Sequence, residues 1–147
     1  MIVTWKERVR VQLERHEGRR RRIYVDTVGK VTGGIGRNLT DRSFSDAEID
    51  LMFENDLEGA LSECRKLFPT WRELEPIRQA VLTDMMFNLG QTRFSKFKKM
   101  RRALRARDFT EAAVQMLDSK WANQVGRKTH QRAWRLARMM STNEWGS

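Results

Sequence analysis

His16-Glu17-Gly18-Arg19-Arg20-Arg21-Arg22-Ile23-Tyr24-Val25-Asp26-Thr27-Val28-Gly29-Lys30-Val31-Thr32-Gly33-Gly34-Ile35-Gly36 is the stretch whose reading decides the fold. An acid, Glu17, ends an amphipathic helix. A second acid, Asp26, follows nine positions later on a Gly-punctuated strand-and-turn segment, and a hydroxyl, Thr32, six positions after that. Alone, Glu17 reads as a helix-terminal surface acid, Asp26 as a turn acid and Thr32 as an ordinary strand residue. Together, two carboxylates and a hydroxyl on different local structures form the minimal set for glycoside hydrolysis.

The flanking sequence frames this segment. Residues from about 4 to 14 show helical spacing, with Val9, Leu13 and Trp5 toward one face. Between about 18 and 39, glycines alternate with β-branched and aromatic residues, which predicts a small antiparallel sheet with tight turns. The run Arg19–Arg22 reads as a solvated turn. Ser45-Asp46-Ala47-Glu48 has the form of a capping box and predicts the start of a long helix, which Phe68-Pro69 ends. Pro76 suits a first helical position. From Ile77 to Leu89 the apolar residues are too dense for one stripe, which predicts a helix buried on most sides and stopped by Gly90. Three shorter helices are expected around 95–105, 109–118 and 129–141, the second capped by Asp108 or Thr110.

The 147 residues fit one domain. Lys and Arg number 29 against 19 Asp and Glu, a formal charge of +10 that attracts polyanions at low salt without choosing among them. Cys64 is the single cysteine, so an intramolecular disulfide is excluded. Its helical spacing from Leu57, Ala60 and Leu61 places it in the core. No apolar run is long enough to span a membrane, and the N-terminal apolar stretch is too short for a signal-peptide core. The two histidines and one cysteine build no metal site.

With its pieces in this order, the chain resembles the phage-type lysozymes of the T-even class, glycoside hydrolase family 24. Glu17-Gly18, Tyr24-x-Asp26 and Thr32-Gly33-Gly34-Ile35-Gly36 carry the likeness. Phe87-Asn88-Leu89-Gly90, Glu111-Ala112-Ala113-Val114, Trp121-x-Asn123-Gln124 and the Arg132…Trp145 segment support it. The resemblance implies an endolysin that cleaves the β-1,4 bond between N-acetylmuramic acid and N-acetylglucosamine in bacterial peptidoglycan, with inversion. It implies Glu17 as general acid, Asp26 as the ionised group or base, and Thr32 positioning the water. A water between the carboxylates calls for a separation of roughly 6.5–9.5 Å. Phe87 and Asn88 match substrate-binding positions, and Arg132 matches an arginine near the catalytic glutamate, expected to bind Glu17 and to be anchored in turn by Asp84. Some relatives carry, where Arg37 stands, a histidine paired to a helix aspartate. That aspartate matches Asp56, so an Arg37–Asp56 ion pair is expected, one that does not titrate near neutral pH.

The expected fold is α+β, predominantly helical and lysozyme-like. A small β-containing lobe spans about 16–42, a helical lobe comprises 1–15 and 67–147, and a helix over about 45–66 connects them. Substrate is expected between the lobes. The resemblance implies a monomer that needs no cofactor, has no specific nucleic-acid partner, and is held in the host bacterial cytoplasm until release to the wall. Two other readings remain: a lytic transglycosylase using Glu17, and a non-catalytic cationic protein that binds membranes or nucleic acid.

Overall fold

Thr4 starts the first element. Its hydroxyl accepts from the Glu7 amide at 3.2 Å while the Glu7 carboxylate accepts from the Thr4 amide at 2.7 Å. This reciprocal cap opens α1, Trp5–Glu17. The helical spacing read over about 4–14 continues to Glu17, the acid read as ending the helix, and stops at Gly18, whose φ of 75° favours glycine. The computed structural model describes residues 2–146. It divides into two compact units, Met1–Ile49 and Asp50–Ser147.

In the first unit α1 is followed by β1 (Arg20–Val25), β2 (Val31–Gly34) and β3 (Arg37–Asn38). They form an antiparallel sheet in the order β1-β2-β3, with Tyr24 opposite Thr32 and Gly33 opposite Arg37. Thr32 and Gly33 on the central strand are its buried positions. The arginine run is solvated as expected, but most of it lies in a strand rather than a turn. Arg20–Arg22 begin the edge strand β1, where their charge blocks strand addition, and the Arg20 guanidinium lies 5.4 Å from the Tyr24 ring.

The Ser45 capping box forms as read. The Glu48 amide donates to Ser45 Oγ at 3.3 Å, and the Ser45 amide to Glu48 Oε2 at 2.8 Å. It opens α2, Asp46–Leu67, which begins in the first unit and continues into the second. Burial in α2 falls on its second half, at Ala60, Cys64 and Leu67.

The second unit is helical. After a 3₁₀ turn at Trp71–Glu73 come α3 (Pro76–Leu89), α4 (Gln91–Phe94), α5 (Lys98–Arg105), α6 (Phe109–Leu117), α7 (Lys120–Val125) and α8 (Arg132–Thr142). Pro76 and Gly90 bound α3 as expected, and Asp108 caps α6 by accepting from the Glu111 amide at 3.0 Å. Five helices follow Gly90 where three were expected. The additional α4 and α7 have four and six residues, too short for an apolar period to show.

Phe94, Leu82, Met85, Met100, Leu104, Met116 and Met140 make the fully buried centre of this unit. Met side chains, flexible and polarisable, fill irregular space between short helices. Cys64 is fully buried there, as expected, and burial pushes its thiol up to about 12. Two buried residues, Thr83 and Arg78, break the apolar pattern; the Thr83 hydroxyl donates to the Gln79 carbonyl at 2.8 Å within its own helix. Arg78 on α3 donates from Nε to the Met140 carbonyl at 2.8 Å and from Nη2 to the Ser141 carbonyl at 3.3 Å. It stacks 3.7 Å from the Phe109 ring centre and pairs with Glu75 at 2.9 Å. The charge thus occupies the carbonyl end of α8, where a cation is favoured.

Candidate active site

Asp26 sits at the end of β1, where the chain must reverse into β2. Its Oδ1 accepts from the Val28 and Lys30 amides, each at 2.9 Å. The Asp26 amide donates to the Lys30 carbonyl at 2.8 Å, closing the turn. Such a loop is what an Asx residue followed by glycine builds. Asp26 therefore is the turn acid that its sequence context indicates, but only one of its oxygens is committed to the turn. The other, Oδ2, faces the Thr32 hydroxyl at 3.3 Å.

Thr32 lies opposite Tyr24 in the ladder and is 4% exposed. Its hydroxyl is 3.3 Å from Asp26 Oδ2 and 3.2 Å from the Lys30 carbonyl oxygen. A hydroxyl has one proton and two acceptor sites, so it serves one of these at a time and keeps lone pairs for a water. The Lys30 amide above all, then the Val28 amide and the Thr32 hydroxyl, hold the Asp26 carboxyl below the ordinary carboxylate range, with partial desolvation opposing them. At neutral pH Asp26 is a carboxylate with one oxygen directed at a hydroxyl.

Glu17 is the last residue of α1 and is exposed. Its carboxyl lies against the backbone of Gly36. A β-carbon built on Gly36 would stand 2.7 Å from Glu17 Cδ and 3.0 Å from Cγ, so any side chain there would push the end of the acid aside. The φ of 59° at Gly36 adds a second requirement for glycine. The sequence pattern contains Gly36, but nothing in it indicates that this residue seats the carboxyl. Glu17, Asp26 and Thr32 all belong to the first unit.

Arg37 departs from expectation. Both of its terminal nitrogens donate to the Glu48 carboxylate, Nη2 to Oε2 at 2.8 Å, and Nη2 also donates to the Ser43 carbonyl at 2.8 Å. The expected partner was Asp56. Glu48 is closer along the chain and already fixed by the capping box, so its carboxylate is pre-aligned for the two-pronged guanidinium. Arg37 first, then the Ser45 amide, lowers Glu48 to about 2. Asp56 instead lines a cavity of about 300 Å³ with Asn55, Gln91 and Phe87.

The remaining expected residues are in the second unit. Arg132 donates to Asp84 Oδ1 from Nε at 2.9 Å and from Nη2 at 2.7 Å, so the anchoring pair forms. Both side chains are 41% exposed, and such a pair is worth no more than about 1 kcal/mol. Phe87 is exposed and lies 5.8 Å from the Phe53 ring. Asn88 is exposed, and its Oδ1 accepts from the buried Trp121 indole at 2.9 Å. That bond commits the Asn88 oxygen and directs its amide nitrogen elsewhere, as a donor. Among the described residues no group of three or more His, Cys, Asp or Glu could hold a metal ion. No helix among them is long and apolar enough to cross a membrane.

The phage lysozyme family model matches residues 14–135, a span that contains every residue above from Glu17 to Arg132. Probable T4-type lysozyme 2 of Dictyostelium discoideum is 24% identical over 80% of this chain and 86% of its own length. Probable T4-type lysozyme 1 of the same organism is 24% identical over 83% and 89%. The pre-baseplate central spike protein Gp5 of Enterobacteria phage T4 is 29% identical over 77% of this chain, which matches 24% of that longer protein.

Proposed function

The chain belongs to the phage lysozyme family and is a muramidase that hydrolyses peptidoglycan, and we propose that Glu17, Asp26 and Thr32 carry the reaction. The observation that supports this assignment is the division of labour within Asp26. Two backbone amides hold Oδ1, so the residue keeps its place and its charge, while Oδ2 is left to the Thr32 hydroxyl.

Glu17 donates its proton to the glycosidic oxygen as the bond from that oxygen to the anomeric carbon breaks. A water held by Thr32 and Asp26 Oδ2 adds to the anomeric carbon from the opposite face and gives its proton to Asp26. The ionised Asp26 also stabilises the positive charge that grows on the sugar ring. The product carries the inverted anomer, since no covalent intermediate forms. Phe87 packs on the sugar, and the Asn88 amide nitrogen donates to an acetamido oxygen. Asp84 holds Arg132 in place. The cleaved bond is the β-1,4 link between N-acetylmuramic acid and N-acetylglucosamine.

Digestion of purified peptidoglycan in ¹⁸O-labelled water, followed by mass spectrometry and early-time NMR of the new reducing end, tests this scheme. Hydrolysis with inversion places one labelled oxygen on an α anomer. A 1,6-anhydro end without label would mean that no water is used, and a β anomer would mean retention.

A further inference from the structure

Within the first unit no side chain or backbone group hydrogen-bonds the Glu17 carboxyl. What it meets there is Gly36, where a β-carbon would stand 2.7 Å from Glu17 Cδ. The Gly36 backbone therefore bounds the carboxyl on one side.

The sheet holds that backbone in part: the adjoining strand β3 is two residues long, and the Leu39 amide extends its pairing with β2 by donating to the Val31 carbonyl at 2.7 Å. The next residue, Arg37, supplies a further restraint. Its guanidinium grips both oxygens of Glu48, donates to the Ser43 carbonyl, and lies 5.3 Å from the Phe44 ring. Glu48 is fixed in turn as the third helical residue of α2 by its bond from the Ser45 amide. The chain from Arg37 to Glu48 is thus closed into a ring by one ion pair, with Gly36 at its edge.

We propose that Arg37 and Glu48 are positioning residues for the general acid: their ion pair fixes the backbone at Gly36, and Gly36 bounds the Glu17 carboxyl. This rests on the reading of Glu17 as the acid. A carboxyl displaced by about 1 Å from the glycosidic oxygen loses up to about a hundredfold in rate. The pair acts on kcat rather than on substrate affinity, because neither residue is required to touch the glycan. Lysine at position 37 would not restore the effect, since a single ammonium cannot span two carboxylate oxygens and a carbonyl in one plane.

The test uses the whole chain labelled with ¹³C at glutamate carboxyls, with the Glu17 resonance identified by its loss in Glu17→Gln. Arg37→Met, Glu48→Gln and Arg37→Lys are compared with Asp41→Asn, which removes the Lys30–Asp41 ion pair beside the same sheet. Expected at fixed pH is a displaced Glu17 resonance in Arg37→Met and Glu48→Gln, with kcat on a soluble muropeptide oligomer lower by about tenfold or more and KM within about twofold. Arg37→Lys should follow them, and Asp41→Asn should change neither. An unmoved Glu17 resonance in folded Arg37→Met or Glu48→Gln overturns the proposal, as does a kcat within about twofold of the parent. If Arg37→Met fails to fold, Glu48→Gln decides. The resonance reports position whether or not Glu17 is the acid, so failure of that reading shows separately, as full activity in Glu17→Gln.

Discussion

The Thr32 hydroxyl faces Asp26 Oδ2 across the first hairpin at 3.3 Å, while Asp26 Oδ1 is held by the Val28 and Lys30 amides. The turn thus fixes one oxygen and leaves the other for chemistry. Thr32→Val keeps the shape of the buried side chain and removes only the hydroxyl. The expected loss in kcat is on the order of a hundredfold, the scale for one preorganised polar group. Thr32→Ser should retain most of the activity. Steady-state kinetics on a soluble glycan checks both, and equal rates for Val and Ser variants would remove Thr32 from the reaction.

Acid should loosen the first unit, because several of its carboxyls hold protons less readily in the folded chain than in the unfolded one. Glu48 drops from 4.5 to about 2 because Arg37, then the Ser45 amide, favour its charged form. Asp26 and Asp41 are lowered too, Asp26 chiefly by the Lys30 amide and Asp41 chiefly by the Lys30 side chain. A depressed folded pKa means that the unfolded chain binds protons first. The stabilisation is full above about 4.5 and disappears as pH falls toward about 2. Denaturant midpoints measured across that range should fall steeply for the parent and less steeply for Glu48→Gln.

Asn88→Ala should affect folding as well as substrate. Trp121 is 2% exposed and its indole N–H has Asn88 Oδ1 as acceptor. Leaving that donor unsatisfied costs about 1–3 kcal/mol. Adding Trp121→Phe to Asn88→Ala should recover part of the loss, because the stranded donor is then gone. Thermal unfolding of the single and double variants measures this coupling, and strict additivity would contradict it.

Much of this was legible in the sequence because local chemistry sets it. The Ser45–Glu48 box, Pro76 and Gly90 bound their helices where the sequence put them, since each acts within one turn. The spacing of Glu17, Asp26 and Thr32, together with the family pattern, marked the candidate trio before any geometry was known. What stayed hidden depends on nonlocal contact. Arg78 looks like a surface cation in sequence, yet it is buried against the carbonyls of Met140 and Ser141, more than sixty positions away. Arg37 was assigned to Asp56 by family analogy. Its pairing with Glu48 follows from a carboxylate already oriented by a cap, which no alignment position reveals. The helices at Gln91–Phe94 and Lys120–Val125 carry no apolar period, and only the Ser119 cap signals the second.

Cys64 should be inert while the protein is folded. It is fully buried, its thiol is pushed up to about 12 by that burial, and its Sγ donates to the Leu82 carbonyl at 3.6 Å. A thiol reagent at pH 8 should label it only as fast as the second unit opens, and fully in denaturant. Rapid labelling of the native protein would show that the α2–α3 packing opens readily.

The reaction needs a proton from Glu17, and Glu17→Gln removes it. Gln keeps the size of the side chain beside Gly36 and has no proton to give. Hydrolysis of purified peptidoglycan by the variant, with folding confirmed by circular dichroism, should fall by about 100-fold or more, the scale of a lost general acid. Parent-like hydrolysis by a folded Glu17→Gln protein would contradict the account.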